Sequence, residues 1–154
     1  MKYFNRVTLS VFVKPEENAE ALKQGLLALV PFDLEKEKVE LDDQTATGFS
    51  QRTIHIYTLA IEKERHLNLF TEFLLSKLNH QQRNQLVRDA ETRLDPELDF
   101  FIRIDKDLWT TDQAVLLTDN GNCYHLKLSV AAFPRKRENA IAIVTNVFKP
   151  APTA

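Results

Sequence analysis

One stretch near the N-terminus narrows the possible folds more than any other: the hydrophobic period changes from two to 3.6 across a single proline. From Arg6 to Lys14, Val7, Leu9, Val11 and Val13 alternate with Thr8, Ser10 and Phe12, the pattern of a half-buried strand. Pro15 ends that run and opens a helix, because its fixed φ suits a first helical turn. Ala19, Leu22, Leu26 and Leu29 then recur at helical spacing until Pro31 stops them. A strand with one apolar side and a helix with one apolar stripe each need a partner to cover them, so a layered fold follows.

The rest of the chain continues in the same terms. Lys36 to Leu41 reads as a short strand, Asp42 to Ser50 as a polar loop containing Gly48, and Arg52 to Ile61 as a strand. Glu64 to Leu78 is a helix with Leu67, Phe70, Leu74 and Leu78 along one side. A more polar helix runs from Gln81 to about Arg93 and ends at Asp95-Pro96. Leu98 to Ile104 is a strand, and Asp105 to Asp112 a loop or turn. Ala114 to Leu117 and Cys123 to Ala132 form a hairpin, since Asn120-Gly121 suits positive φ. Pro134 starts the last helix.

The order β-α-β-β-α-α-β-β-β-α predicts an α+β two-layer sandwich, a mostly antiparallel sheet with helices packed on one face. Its opening β-α-β-β-α-β resembles a ferredoxin-like, split βαβ arrangement. Residues 1–149 are expected to form one domain, with 150–154 a flexible tail. A chain of 154 residues, 44% hydrophobic and 27% charged, can build such a core without disulfides or a metal staple. The lone Cys123 and the absence of a signal-like N-terminus point to a reducing cytoplasm. No apolar run approaches the ~20 residues that span a bilayer. A net charge of −2 argues against a protein that binds any polyanion through general basicity, and leaves a local basic patch open.

Catalytic signatures are missing. There is no Gly-x-Ser-x-Gly elbow, and three glycines cannot build a phosphate loop. His55, His66, His80 and His125 show no metal-ligand spacing, and no Cys-x-x-Cys exists. Asp105, Asp107 and Asp112 lack the glycine and glutamate of a calcium loop. The expectation is no enzyme, no metal and no cofactor. A small metabolite-binding domain would require His55 and His125 in one pocket.

A cationic and aromatic set is the sharper signal. Arg103, His125, Lys127 and Phe101 should project from one sheet face, with His55, Tyr57 and Phe12 joining them if the strands are neighbours. Aromatic rings beside Arg and Lys on an open sheet can stack bases and hold phosphates. Arg135, Lys136 and Arg137 add a basic cluster at the start of the last helix, where free backbone N–H groups favour anions. Arg52 and Lys106 lie in or beside loops flanking the sheet.

At Arg103-Ile104-Asp105-Lys106 the chain resembles an archaeal RNA-binding family described as predicted exosome subunits. The likeness covers nearly the whole chain in order and spacing: the strand Val7 to Val13 before the acidic helix Glu16 to Leu22, a glycine-bearing loop from Gly48 to Ile54, the Arg-x-Asp-Lys segment, and a glycine-turned hairpin from Gly121 to Val130. It departs after Lys106, where Asp107, Leu108 and Trp109 stand in place of glutamine and small residues. The resemblance implies an α+β fold related to a ribosomal protein that holds 5S RNA, without catalytic residues. It makes Arg52, Arg103 and Lys106 candidate RNA contacts.

The leading expectation is a cytoplasmic, non-catalytic RNA-binding protein, an accessory of RNA processing with exosome components or of ribosome-related assembly. Arg52, Arg103, Lys106, Lys127, Arg135, Lys136 and Arg137 would hold RNA, with Tyr57 and Phe101 stacking on bases. The alternative is a protein-interaction or homodimerisation module using Phe12, Leu59 and Phe101.

Overall fold

The computed structural model describes residues 2–47 and 52–150. Gly48, Phe49 and Ser50, the end of the loop expected from Asp42 to Ser50, lie outside those residues, as do the last four residues of the expected tail. Five strands and six helices are formed among the described residues, in the order β1 (Phe4–Val13), α1 (Ala19–Leu27), β2 (Leu41–Thr47), β3 (Thr53–Ile61), α2 (Glu64–Lys77), α3 (His80–Arg88), α4 (Ala90–Arg93), β4 (Asp99–Asp105), α5 (Lys106–Asp112), β5 (Cys123–Val130) and α6 (Arg137–Phe148). The fold is α+β, an open antiparallel sheet in the order β2-β3-β1-β5-β4.

The alternation read in β1 decides which side is covered. Val7, Leu9, Val11 and Val13 are all at most 2% exposed; Val7 and Leu9 each lie between two apolar residues across the sheet, and Val11 lies between Tyr57 and Tyr124. Leu59 and Ile61 of β3, Tyr124, Leu126 and Leu128 of β5, and Phe100, Ile102 and Ile104 of β4 continue that face. Leu22 and Leu26 of α1, Leu67, Phe70 and Leu74 of α2, and Val144 and Phe148 of α6 cover it. Phe100 and Phe148 stack at 5.7 Å between ring centres.

The order β2-β3-β1-β5 is that of a split βαβ unit, but the strand closing it beside β1 is β5. β4, the sixth element of the expected motif, instead adds outside β5 as an edge.

Several expectations are corrected. No strand forms over Lys36 to Glu40: residues 34–38 are a turn, with Lys38 in the left-handed region at φ 59°. The strand begins at Leu41 and runs through the polar residues expected to loop. As an edge strand exposed on both sides, β2 has no apolar period to show. Asp105 to Asp112 is no loop. Asp105 caps Leu108 N at 2.9 Å and starts α5, whose Trp109 is fully buried and donates to Gly25 O at 2.7 Å. The second polar helix breaks at Asp89 into α3 and α4, and α6 begins at Arg137, not Pro134.

The expected hairpin also differs. Leu116 and Thr118 bond to the outer edge of β4, with Asp105 N donating to Leu116 O at 2.8 Å and Thr118 N to Arg103 O at 3.0 Å. The connection to β5 is held by side chains: Asn122 N donates to Asn120 Oδ1 at 2.8 Å. Gly121 does not adopt positive φ.

Candidate nucleic-acid interface

The face of the sheet turned away from the helices is set by the other half of each alternation. β1 contributes Thr8, Ser10 and Phe12; β5 contributes His125 and Lys127; β4 contributes Phe101 and Arg103. The register places His125 between Arg103 and Ser10, and Lys127 between Phe101 and Thr8. Two cations, an imidazole and a phenyl ring thus occupy adjacent positions of two neighbouring strands. The Phe101 and His125 rings lie 5.2 Å apart at a tilt of 41°. Phe12 is 42% exposed on the same face.

The electrostatics are balanced, not simply basic. Lys127 Nζ lies 3.5 Å from Asp99, a rim carboxylate that is itself nearly buried. Arg103 is exposed and spends one N–H on Asp119 O at 3.2 Å, leaving the rest of its fork open. Burial, and then the neighbouring charges of Arg103 and Lys127, hold His125 below the ordinary imidazole value. At neutral pH it is therefore an uncharged ring beside two cations.

Tyr57 and His55 do not belong to this face. Their registers with Val11 and Val13 put them on the helix side, where Tyr57 is 6% exposed and stacks on His55. His55 bonds to Asp43 at 3.2 Å. The period-two rule separates them from Phe12 and His125 at once, so Tyr57 cannot stack a base there, and His55 and His125 share no pocket. Leu59 is also a core residue.

Lys106 is likewise corrected. It is 1% exposed, and its ammonium donates to Phe12 O at 2.7 Å and to Glu17 Oε1 at 3.1 Å. It joins the start of α5 to the end of β1 and has no surface to offer RNA. Arg52 pairs with Glu16 at 3.3 Å at the start of β3, two strands away from β5.

The basic cluster after β5 sits at the other end of β4 from Arg103. Arg135 donates to Glu97 O at 2.8 Å. Arg137 donates to Leu94 O at 3.0 Å and to Glu91 O, and pairs with the Glu91 carboxylate at 3.4 Å. These two guanidinium groups tie α6 to the segment before β4. Lys136 is exposed, with no side-chain partner among the described residues.

Sequence reasoning missed the residues that flank Phe101 and Arg103 from outside the sheet. Asp89, Thr92 and Arg93 come from the α3–α4 junction, and Thr118 and Asp119 from the ribbon on the edge of β4; together they line a groove of about 450 Å³. Nothing local in the sequence marks them, because they meet only through edge pairing. No cluster of His, Cys, Asp and Glu suited to a metal occurs among the described residues, and none of the described helices is long and apolar enough to cross a membrane.

Comparison with known proteins adds an independent line. An RNA-binding protein of Pyrococcus abyssi is 25% identical over 140 residues, 91% of this chain and 90% of that one. A crystal structure of an Archaeoglobus fulgidus protein superposes with a TM-score of 0.81 at 25% identity, covering 94% of this chain and 99% of the other. A DUF54 protein of Methanothermobacter thermautotrophicus shares the fold at a TM-score of 0.76 and 20% identity, over 96% and 100% of the two chains. The family model described as RNA binding matches residues 6–130, from within β1 to the end of β5. That span holds all of the open-face residues above and leaves out Arg135 to Arg137. The chain belongs to this RNA-binding family.

Proposed function

We propose that this chain is a non-catalytic RNA-binding protein whose contact surface is the open sheet face around Phe101, Arg103, His125 and Lys127. The observation that carries the reading is the cross-strand pairing of Arg103 with His125 and Phe101 with Lys127, on the side opposite the helices. Cations there meet phosphates, and the two rings offer planar surfaces for bases. Lys136 extends the contact at one end of the sheet, whereas Arg52, Arg135 and Arg137 hold protein groups and contribute only long-range charge.

Filter binding over a range of salt concentrations tests this. Each phosphate contact contributes about 0.7 to the log–log salt slope for a single strand. A double Arg103→Ala, Lys127→Ala variant should bind more weakly and with a flatter slope; unchanged affinity removes the surface. The likeness at Arg103-Ile104-Asp105-Lys106 supports a cytoplasmic accessory role in RNA processing with exosome components, or in ribosome-related assembly. Crosslinking in native cells, followed by sequencing of the RNA and identification of co-purified proteins, decides between them.

One observation favours a second reading. Phe12 stands 42% exposed beside Ile56 of β3 on the open face, an apolar spot suited to a second copy of the chain. Light scattering that shows a dimer with Arg103 and Lys127 protected from modification would replace the RNA surface with a subunit interface.

A further inference from the structure

The outer edge of β4 is paired at its two ends and open between them. At one end Asp95 N donates to Asp99 O at 3.0 Å, and Asp99 N to Asp95 Oδ1 at 2.9 Å. At the other end Leu116 and Thr118 bond to Asp105 and Arg103. The gap between these ribbons is the groove of about 450 Å³ lined by Asp89, Thr92, Arg93, Phe101, Arg103 and Thr118, with Asp119 at its rim. Ligand sites of roughly 300–1,000 Å³ hold small organic molecules, so the space is adequate for one nucleotide.

The lining chooses among ligands. Arg93 is fixed: its Nε and Nη2 bond to Asp89 at 3.3 and 3.2 Å, and its Nη1 lies 3.4 Å from Phe101 O. Arg103 is held on the other side through Asp119 O. Two positioned guanidinium groups flank a phenyl ring, which continues through His125 onto the open face. Asp89 and Asp119 make the groove unsuited to a bare phosphate cluster. A nucleobase carries N–H donors for a carboxylate as well as acceptors for a guanidinium, and a flat face for the ring.

We propose that the groove at the β4 edge is the site of an unpaired nucleotide, and that the RNA this chain binds is therefore single-stranded at that point. The inference rests on the RNA reading above and specifies its substrate class. A base enters between Arg93 and Arg103 and stacks against Phe101, while its neighbours cross the open face past His125 and Lys127. A paired base inside an A-form helix cannot reach Phe101, because the deep, narrow major groove hides its edge and its faces are stacked.

The test compares a uridine-rich 12-nucleotide single strand with the blunt duplex of the same sequence, by fluorescence anisotropy, on three proteins: the native chain, Thr92→Trp and Lys127→Ala. Thr92 is exposed, so the indole fills the groove without entering the core; a circular dichroism melt checks each fold. The native chain should prefer the single strand, and Thr92→Trp should lose about tenfold in affinity for it, the scale of one lost base stack. Photocrosslinking of the 4-thiouridine-substituted strand to the native chain should map to the peptides carrying Thr92, Phe101 or Thr118. Duplex binding as tight as single-strand binding, or full single-strand affinity in Thr92→Trp with crosslinks elsewhere, overturns the nucleotide site; if Lys127→Ala still weakens binding, the RNA surface stands. Absence of binding to either RNA overturns both.

Discussion

Lys106 Nζ lies 3.1 Å from Glu17 Oε1, across 89 residues of sequence, in a site where the lysine is almost wholly buried. The same ammonium donates to Phe12 O at 2.7 Å. A lysine so placed ties the end of β1 to the beginning of α5. Its Arg-x-Asp-Lys setting has a structural meaning as well: Asp105 caps α5, Lys106 anchors it, and Arg103 alone of the three is exposed.

Replacing Lys106 with methionine keeps the aliphatic stem and removes the charge. Glu17 then loses a charge-assisted partner and Phe12 O a donor, at a cost of about 2 kcal/mol. Denaturant unfolding should show this loss while RNA affinity stays within about twofold of the native value, which corresponds to a few tenths of a kcal/mol. A large fall in affinity with unchanged stability would return Lys106 to the RNA surface.

Glu17 itself sets an acid limit. Burial opposes its ionisation, but hydrogen bonds from Lys14 N and from Lys106, with the charges of both lysines, outweigh it and lower its pKa. A carboxyl with a depressed folded-state value contributes stability that is present above the unfolded value near 4.5 and disappears as pH falls through the folded one. Unfolding curves from pH 6 to 3 should therefore lose part of their slope in Glu17→Gln; an identical pH profile contradicts the pairing.

Gly25 and Tyr124 make a tight contact between α1 and β5. A Cβ at Gly25 would overlap Tyr124 Oη, which also donates to Leu22 O at 3.1 Å and pairs with Thr110 Oγ1 at 2.7 Å. Gly25→Ala should cost about 1–3 kcal/mol by overpacking despite alanine's better helix propensity. Tyr124→Phe removes the obstructing oxygen, so the double variant should be more stable than the sum of the two single losses predicts. Strict additivity in a double-mutant cycle would show that the contact relaxes elsewhere.

The parts legible in the sequence are those where burial imposes a period. Val7 to Val13 declares its strand and its inner face, and Phe101, Arg103, His125 and Lys127 fall together because they alternate against Phe100, Ile102, Leu126 and Leu128. β2 was illegible because neither of its sides is buried, and α5 because seven residues are too short for a helical stripe. Tyr57 was misplaced by one residue of parity. Its face follows from its register with Val11, which only the paired sheet supplies. The groove beside Phe101 depends on which segments complete the edge of β4, a long-range relation with no local sign.

His125 offers the most direct reading of the open face. Its pKa is lowered first by burial and then by Arg103 and Lys127. The unfolded chain thus takes up a proton that the folded one resists. Stability is complete above the ordinary value of about 6.5 and declines as pH falls below it, levelling off beneath the folded value. Bound RNA reverses the balance, because phosphates beside the ring favour the imidazolium, so affinity should rise as pH falls from 7 toward 5.5. His125→Gln should remove both trends, and Arg103→Ala should move the imidazole midpoint upward in an NMR titration. If the His125 resonances titrate above 6.5 in the free protein, or RNA affinity is flat over that range, the ring does not sit between those two cations at the RNA surface.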